Sequence, residues 1–227
     1  INEGIDLIDI GAESTRPGAE IVDFKEERLR IEPIIKAIKN NFKIPVSIDT
    51  YKPEIMKLGI DLGVEMINDI YALRQPGSIE AVVNSDTILS LMHMQGTPQN
   101  MQKNPFYKNI FEEVRDFLKN RINICNDSGI DKSRIVIDPG FGFGKTHQNN
   151  LKLFQSLNKL EVLSTPILVG VSRKSMIRNI VGSEENDIIQ ASAIMSALSI
   201  LKGANIVRVH DIKQTKTALN ILKLKEN

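Results

Sequence analysis

The stretch Arg134-Ile-Val-Ile-Asp138-Pro139-Gly140-Phe141-Gly142-Phe143-Gly144-Lys145 decides how the rest of the sequence is interpreted. Its apolar run, 135–137, does not alternate with polar residues, which predicts a strand covered on both faces, as in a parallel sheet under helices. The strand ends at Asp138 and opens into a loop of alternating glycines. Such glycines let the backbone curl closely around a flat ligand, and Phe141 and Phe143 can offer ring faces to it.

Two well-known phosphate-binding loops do not fit this stretch. A Walker-type loop needs four residues between its first glycine and its Gly-Lys-Thr, and Gly140 lies one residue too close to Gly144. A dinucleotide-binding fingerprint needs a glycine where Lys145 stands. The alternative to a ligand-binding loop is an ordinary turn in which Asp138 caps the next helix.

Seven predicted strands each precede a predicted helix. The strands begin near residues 5, 44, 65, 87, 134, 166 and 204, and the helices are predicted at 24–40, 53–62, 77–84, 110–128, 151–160, 188–201 and 212–224. This alternation indicates a parallel sheet. A parallel barrel closes with eight strands and typically needs about 250 residues.

We therefore predict an α/β fold, a (β/α)8 TIM barrel that occupies residues 1–227 as one domain, with the first βα unit missing from this chain. Residues 1–4 are expected to be the end of the missing unit's helix, closed by Gly4. An open doubly wound sheet, which tolerates seven strands, is the alternative.

Composition excludes several kinds of partner. The 29 basic and 28 acidic residues leave a net charge of +1, so neither nucleic acid nor a membrane surface is an expected partner. No apolar run reaches the roughly 18 residues of a membrane span, and no signal peptide is evident. The single cysteine, Cys125, suits a reducing cytoplasm. The three histidines are far apart, so a histidine-built metal site is not expected.

Polar residues follow the predicted strands. They are Thr15-Arg16, Asp49, Asn68, His93, Asp138, Lys174-Ser175, and Arg208 with His210. In a (β/α)8 barrel the carboxyl ends of all strands surround one opening, where active sites lie, so we expect one shared pocket. The two aspartates could instead cap helices, and Asn68 could be a turn residue. Met92 and Met94 are expected to pack, and His93 to be structural or to face solvent.

These residue types suit a flat nitrogen heterocycle that carries an anionic group. Carboxylates accept strong hydrogen bonds from ring N–H groups, Asn68 can read a donor and an acceptor together, and Lys174 can donate to a ring carbonyl. Burying Lys174 without a partner would cost several kcal/mol, roughly, which favours a functional role. Arg208 and His210, two residues apart, point the same way and suit phosphate.

Seven motifs, in order from residue 6 to residue 211, closely resemble the dihydropteroate synthases, the folate-pathway enzymes that sulfonamides inhibit. They are Glu13-Ser14-Thr15-Arg16-Pro17-Gly18, Ser47-Ile48-Asp49-Thr50, Ile67-Asn68-Asp69, Met92-His93-Met94-Gln95-Gly96, Asp138 to Lys145, Ser172-Arg173-Lys174-Ser175 and Arg208-Val209-His210-Asp211. The resemblance implies a transferase that joins 4-aminobenzoate to the exocyclic carbon of 6-hydroxymethyl-7,8-dihydropterin diphosphate. The products would be 7,8-dihydropteroate and pyrophosphate, and the carbon–oxygen bond would ionise before the aryl amine attacks the pterin cation.

The resemblance also implies a role for each site residue. Asp49 and Lys174 would be catalytic; Asp49, Asn68, Asp138, Lys174 and Arg208 would bind the pterin; Arg208 and His210 would bind pyrophosphate; Thr15, Pro17, Phe143, Lys174 and Ser175 would bind aminobenzoate; and Arg16, Met92 and Gly142 would complete the pocket.

The resemblance further implies Mg²⁺ and a homodimer. In the family, an asparagine at the end of the first strand helps to hold Mg²⁺ and pyrophosphate, so no metal ligand is expected within residues 1–227. A chain of these residues alone is expected to be inactive or badly folded. The family is commonly dimeric through its last helices, where the small residues of 191–199 would offer a close-packing face.

Two other functions compete with this interpretation. A pterin-dependent methyltransferase barrel that works with a corrinoid protein shares the ring-binding carboxylates and asparagine. Such an enzyme does not need Arg208 and His210 for pyrophosphate, or Lys174 and Ser175 beside an aryl amine. A catalytically inactive barrel could serve as a binding module, but the intact polar residues at all seven strand ends argue against it.

Overall fold

A computed structural model describes residues 3–15 and 18–223, in which seven strands alternate with eight α-helices. The strands are β1 Ile8–Gly11, β2 Val46–Asp49, β3 Met66–Asp69, β4 Ile88–Met92, β5 Ile135–Asp138, β6 Leu168–Val169 and β7 Ile206–Val207. The helices are α1 Phe24–Asn41, α2 Pro53–Asp61, α3 Ser78–Val82, α4 Ile110–Asp127, α5 His147–Gln155, α6 Ser175–Val181, α7 Glu185–Leu201 and α8 Ile212–Leu222, with short 3-10 helices at Lys132–Arg134 and Leu157–Leu163.

All strand pairs are parallel and follow chain order. Strands β1 to β5 form one sheet, β6 pairs with β7, and a bridge between Ile137 and Ile167 joins the two sheets. A doubly wound sheet would reverse its strand order at a switch point, and this order does not reverse. Among the described residues no pairing joins β7 to β1. The prediction of an α/β barrel that lacks one βα unit is therefore confirmed.

Several predicted boundaries were wrong. β1 begins at Ile8 rather than near residue 5, and β7 begins at Ile206 rather than near residue 204, because these segments flank the gap where no described strand pairs with them. Helix α5 begins at His147, where Thr146 caps it by accepting a hydrogen bond from the Asn149 N–H. The sequence did not predict α6, whose seven residues are too few for a clear helical period.

Two layers of apolar side chains hold the barrel together. The outer layer packs the helices against the sheet, as where Ile31 and Ile35 of α1 are fully buried. The inner cluster contains Met66, Val136 and Leu168, from β3, β5 and β6. These three side chains lie inside the barrel, as expected where inward side chains stack in layers.

Helix α7 is apolar on more than one side. Its small residues pack within the chain: Ser192, Ala193, Ser196, Ala197 and Ser199 are all buried. They are therefore not available as a contact face for another copy, contrary to the expectation from the sequence. Ile194, Leu198 and Leu201 are exposed instead. Within the described part of the chain, no helix is both long enough and apolar enough to cross a membrane.

A polar ring at the carboxyl ends of the strands: the candidate active site

The candidate site lies directly above the inner apolar cluster, because side chains of a strand alternate in direction with period two. Asn68 lies two residues after Met66, and Asp138 lies two residues after Val136, so both point to the barrel interior. The same spacing relates Arg208 to Ile206, which packs against the inner cluster. The sequence thus builds an apolar floor and a polar rim on the same faces of the strands.

A cavity of about 420 Å³ extends from this rim past the inner apolar cluster to α8, along the open side between β1 and β7. Its polar lining consists of Asp6, Asp9, Ser47, Asn68, Ser172, Lys174, Arg208, His210, Thr215 and Lys216. Four predicted site residues, Asn68, Lys174, Arg208 and His210, therefore meet in one cavity. Asn68 is buried, and its Oδ1 has no hydrogen-bond partner among the described residues. An unpaired buried acceptor is costly, so a ligand with an N–H group is expected there.

Arg208 connects two carboxylates across the mouth of the barrel. Its Nη2 donates to Asp49 Oδ2 at 2.9 Å, and its Nε lies 2.5 Å from Asp9 Oδ2. Burial and the nearby Asp9 carboxylate raise the pKa of Asp49 to about 7, although Arg208 acts in the opposite direction. The sequence did not single out Asp9. The alternation Ile8-Asp9-Ile10 could have indicated it, because a polar residue there shares a strand face with Leu7.

Asp138 and Lys174 form the opposite side of the rim. Asp138 is buried at the end of β5, and its Oδ1 accepts from the Gly140 N–H at 2.7 Å. Burial raises the pKa of Asp138, and the Lys174 charge counteracts this effect. Burial lowers the pKa of Lys174 to about 8 against the opposing effect of Asp138. The two groups are therefore electrostatically linked, which suits donor and acceptor contacts to one ring.

Lys174 also contacts the glycine loop, which we define as residues 139–145. Its Nζ donates to Phe141 O at 2.6 Å and lies 4.8 Å from the centre of the Phe143 ring. Gly142 adopts a φ of +83°, and a Cβ there would lie 3.3 Å from Lys174 Cδ. The lysine stem thus lies against the loop at a residue with no side chain.

Phe143 packs against a methionine-rich cluster that was expected to be structural. Met92, Met94 and Met101 are buried together with Ile70, and Phe143 is partly buried against them. Met92 ends β4, opposite Asp138 in the sheet register. This cluster gives Phe143 an apolar support behind its ring.

The remaining predicted site residues lie at the edge of the site. His210 is exposed, and its Nδ1 lies 2.9 Å from Ser172 Oγ. Ser175 is the exposed first residue of α6, and Thr15 is half-buried in the loop after β1. Arg16 and Pro17 lie outside the described residues.

A buried charged network, which the sequence did not predict, holds the loop after β1. Glu13 accepts from Tyr51 Oη at 2.7 Å and from the Lys52 ammonium. Lys52 also donates to Glu27 Oε2 at 2.6 Å, and Glu27 is only 1% exposed. Glu27 therefore belongs to the core, although it lies on a charged helix. The network ties α1 to the strand end that carries Thr15.

The close approach of the glycine loop to the end of β4 predicts a large effect of a methyl group. Gly140 has a φ of +68°, and a Cβ there would lie 1.9 Å from His93 O. Gly63 has a φ of +76° and nothing within 4 Å of its Cβ position. Gly63→Ala should cost only the backbone strain, about 1–2 kcal/mol. Gly140→Ala should cost about 1–3 kcal/mol more, because the clash is with backbone. Urea denaturation of both variants measures the difference, and equal losses would contradict the clash.

The described residues contain no group of three or more His, Cys, Asp or Glu side chains arranged to hold a metal ion. The buried carboxylates instead pair with arginine, lysine or backbone N–H groups. Any metal at this site would need ligands from outside this set.

Comparison with known proteins agrees with this geometry. The family model for pterin binding enzymes matches residues 1–210. Dihydropteroate synthase of Escherichia coli (strain K12) is 40% identical over 231 residues, which cover 100% of this chain and 82% of that protein.

Solved structures agree in the same way. The Yersinia pestis dihydropteroate synthase in complex with a sulfonamide drug superimposes with a TM-score of 0.96 at 38% identity, over 99% of this chain and 82% of that one. The Xanthomonas albilineans dihydropteroate synthase in complex with 7,8-dihydropteroate gives a TM-score of 0.89 at 37% identity, over 99% and 83%. The chain belongs to the dihydropteroate synthase family.

Proposed function

We propose that this chain condenses 6-hydroxymethyl-7,8-dihydropterin diphosphate with 4-aminobenzoate, and that the polar rim divides the work between the two substrates. The observation that carries the proposal is the convergence of Asn68, Lys174 and Arg208 on one cavity. Asp49 ends β2 and Asp138 ends β5, two strands of the same sheet. The reaction breaks the exocyclic carbon–oxygen bond, forms a carbon–nitrogen bond and releases pyrophosphate and a proton.

The pterin ring would bind deep in the barrel. The unpaired Oδ1 of Asn68 supports a contact with a ring N–H group, and the Asp138 carboxylate has capacity for further donors. Lys174 would donate to the ring carbonyl. Arg208 would lie against the ring at the barrel mouth, where its side chain is 48% exposed.

Ionisation of the carbon–oxygen bond requires stabilisation of both products. Arg208 and His210 would hold the leaving pyrophosphate, whose electron pair comes from the broken bond. The cation left on the pterin would be stabilised by a fixed negative charge, which we assign to Asp49. Arg208 holds the Asp49 carboxylate in place before the substrate arrives.

The aryl amine needs positioning more than deprotonation, because attack on a cation does not require a strong nucleophile. The side chains that would hold 4-aminobenzoate are those of Thr15, Pro17, Phe143, Lys174 and Ser175. The rest of the active-site pocket would be completed by Arg16, Met92 and Gly142. The Phe143 ring, supported by the methionine cluster, offers a flat apolar surface for the benzene ring. The Lys174 ammonium and the partial positive charge at the N-terminus of α6 suit the carboxylate of 4-aminobenzoate.

Mg²⁺ belongs to this proposal only as a companion of the diphosphate. Proteins commonly hold Mg²⁺ through substrate phosphates and one or two carboxylates, with water completing the shell. The described residues do not form a metal site by themselves, so we assign no step of the reaction to the metal.

Two pKa shifts predict a narrow pH optimum. Asp49 acts when ionised, so kcat/KM for the pterin should rise with pH through about 7. Lys174 acts when protonated, so kcat/KM should fall above about 8. Asp9→Asn removes a charge that raises the pKa of Asp49, and should move the rising limb to lower pH. A profile that is flat from pH 6 to 9, or an Asp9→Asn variant with the same rising limb, would contradict the assignment.

Release of pyrophosphate from the pterin diphosphate, with and without 4-aminobenzoate, tests the function directly. A dihydropteroate synthase should release one pyrophosphate per 7,8-dihydropteroate formed. A corrinoid-dependent methyltransferase would release none, and an inactive barrel would bind the pterin without turnover. Either of the last two results would reject the proposal.

A homodimer and a cytoplasmic location remain predictions. The exposed side chains of Ile194, Leu198 and Leu201 on α7, together with Ile221 on α8, favour a contact through the last helices. This face replaces the small-residue face expected from the sequence.

A further inference from the structure

We propose that Lys145 is a positioning residue for the aryl amine: it fixes the glycine loop so that Phe143 and Lys174 face the second substrate. The inference rests on the proposed function, because it uses the placement of 4-aminobenzoate against these two side chains. Lys145 itself lines no part of the cavity and is only 3% exposed. It therefore acts through its neighbours.

The Lys145 side chain turns back onto its own loop. Its Nζ lies 2.8 Å from Gly140 O, 3.0 Å from Phe143 O, 2.9 Å from His93 Nδ1 and 3.4 Å from His93 O. Burial lowers the pKa of Lys145 well below its usual value, although the Asp138 carboxylate acts in the opposite direction. These acceptors can take all three N–H groups of an ammonium, so the contacts themselves favour the charged form.

His93 is the contact of Lys145 that lies outside the glycine loop. Burial and the Lys145 charge lower the pKa of His93 well below its usual value, so the ring is neutral and Nδ1 can accept a hydrogen bond. The ring packs edge-on against Phe117, with 4.9 Å between ring centres. The His93 N–H donates to Asp138 O at 2.9 Å. Lys145 thus ties the glycine loop to the rigid end of β4.

Every carbonyl from Gly140 to Gly144 accepts a hydrogen bond from a side chain. The donors are Lys145 to Gly140 O and Phe143 O, Lys174 to Phe141 O, Gln102 to Gly142 O, and Tyr107 to Gly144 O. Lys145 therefore holds the carbonyls of Gly140 and Phe143, which flank the two carbonyls that Lys174 and Gln102 contact. If Lys145 no longer bound these carbonyls, Phe143 and the Phe141 carbonyl that Lys174 contacts would move together.

Two pterin contacts, those of Asn68 and Asp138, do not depend on the hydrogen bonds of Lys145, whereas Lys174 serves both substrates. Asn68 and Asp138 lie on strands whose register the sheet fixes, since Asn68 pairs with Ser90 and Asp138 with Met92. Loss of Lys145 should therefore weaken binding of the aryl amine more than binding of the pterin. A residue that only stabilised the fold would lower the amount of active enzyme and leave both KM values unchanged.

The main experiment compares Lys145→Met with Lys152→Met in the full-length protein. Lys152 is exposed on α5 and provides the same substitution outside the site. We expect Lys145→Met to raise KM for 4-aminobenzoate about tenfold or more, as small misplacements of reacting groups do. Pterin affinity should change less than about threefold, and Lys152→Met should match the wild type. Equal losses of affinity for both substrates, or an unchanged KM for 4-aminobenzoate, would overturn the inference.

A second pair of variants decides the matter if Lys145→Met does not fold. His93→Asn keeps an oxygen that can accept from Lys145, whereas His93→Leu keeps apolar volume and removes the acceptor. We expect a higher KM for 4-aminobenzoate in the leucine variant and a nearly normal one in the asparagine variant. The reverse order, or equal values, would overturn the inference. A wild-type protein that releases no pyrophosphate would instead reject the proposed function.

Discussion

Asp49→Asn is expected to bind the pterin nearly as well as the wild type and to lower kcat by about 100-fold or more. Asparagine keeps the shape of the side chain and an oxygen that can accept from Arg208, which donates to Asp49 at 2.9 Å. It cannot supply the negative charge that stabilises a cation on the substrate. Binding contacts therefore survive, and transition-state stabilisation is lost.

Calorimetry of pterin binding and a pyrophosphate assay measure the two effects separately. Asp61→Asn is a matched control, because Asp61 is an exposed aspartate at the end of α2, away from the rim. A normal kcat in Asp49→Asn would reject the catalytic role. A loss of affinity that accounts for all the lost activity would make Asp49 a binding residue only.

Lys174→Ala is expected to weaken pterin binding about 10- to 100-fold, as loss of a hydrogen bond from a charged donor does. Two causes act in the same direction. The ring carbonyl would lose its donor. The pKa of Asp138 would also rise further, because the variant lacks the Lys174 charge that opposes the effect of burial in the wild type. A protonated Asp138 is a poorer acceptor for ring N–H groups.

The second cause predicts how the loss depends on pH. Affinity of the alanine variant should fall faster than that of the wild type as the solution becomes more acidic, because more Asp138 becomes protonated. Isothermal calorimetry at several pH values measures both affinities, with Lys119→Ala on the exposed side of α4 as control. An unchanged affinity in Lys174→Ala would remove Lys174 from the pterin site.

The sequence predicted those parts of the molecule that follow from local patterns. Alternation of apolar strands and helices gave the parallel barrel, and period two along each strand placed Asn68 and Asp138 on its inner side. The strand ends were less accurate, because a strand ends where its neighbour ends. β6 and β7, for example, each retain only two paired residues.

Long-range polar contacts could not be predicted in the same way. Glu27 has the local sequence of a solvated helix, and only the fold brings Lys52 and Thr50 to its carboxylate. Lys145 was noted as part of a motif, but nothing local shows that its ammonium turns back to His93. Asp9 lies within an apolar strand, and its role depends on Arg208, which is 199 residues away in the sequence.

The hydrogen-bonded carbonyls of the glycine loop have a consequence for drug resistance. An inhibitor that imitates the second substrate would contact the glycine loop. The conformation of this loop depends on side chains that bind its carbonyls, such as Gln102 and Tyr107. Selection for resistance can therefore act on residues that never contact the compound. Screening only the contact residues for resistance mutations would miss them.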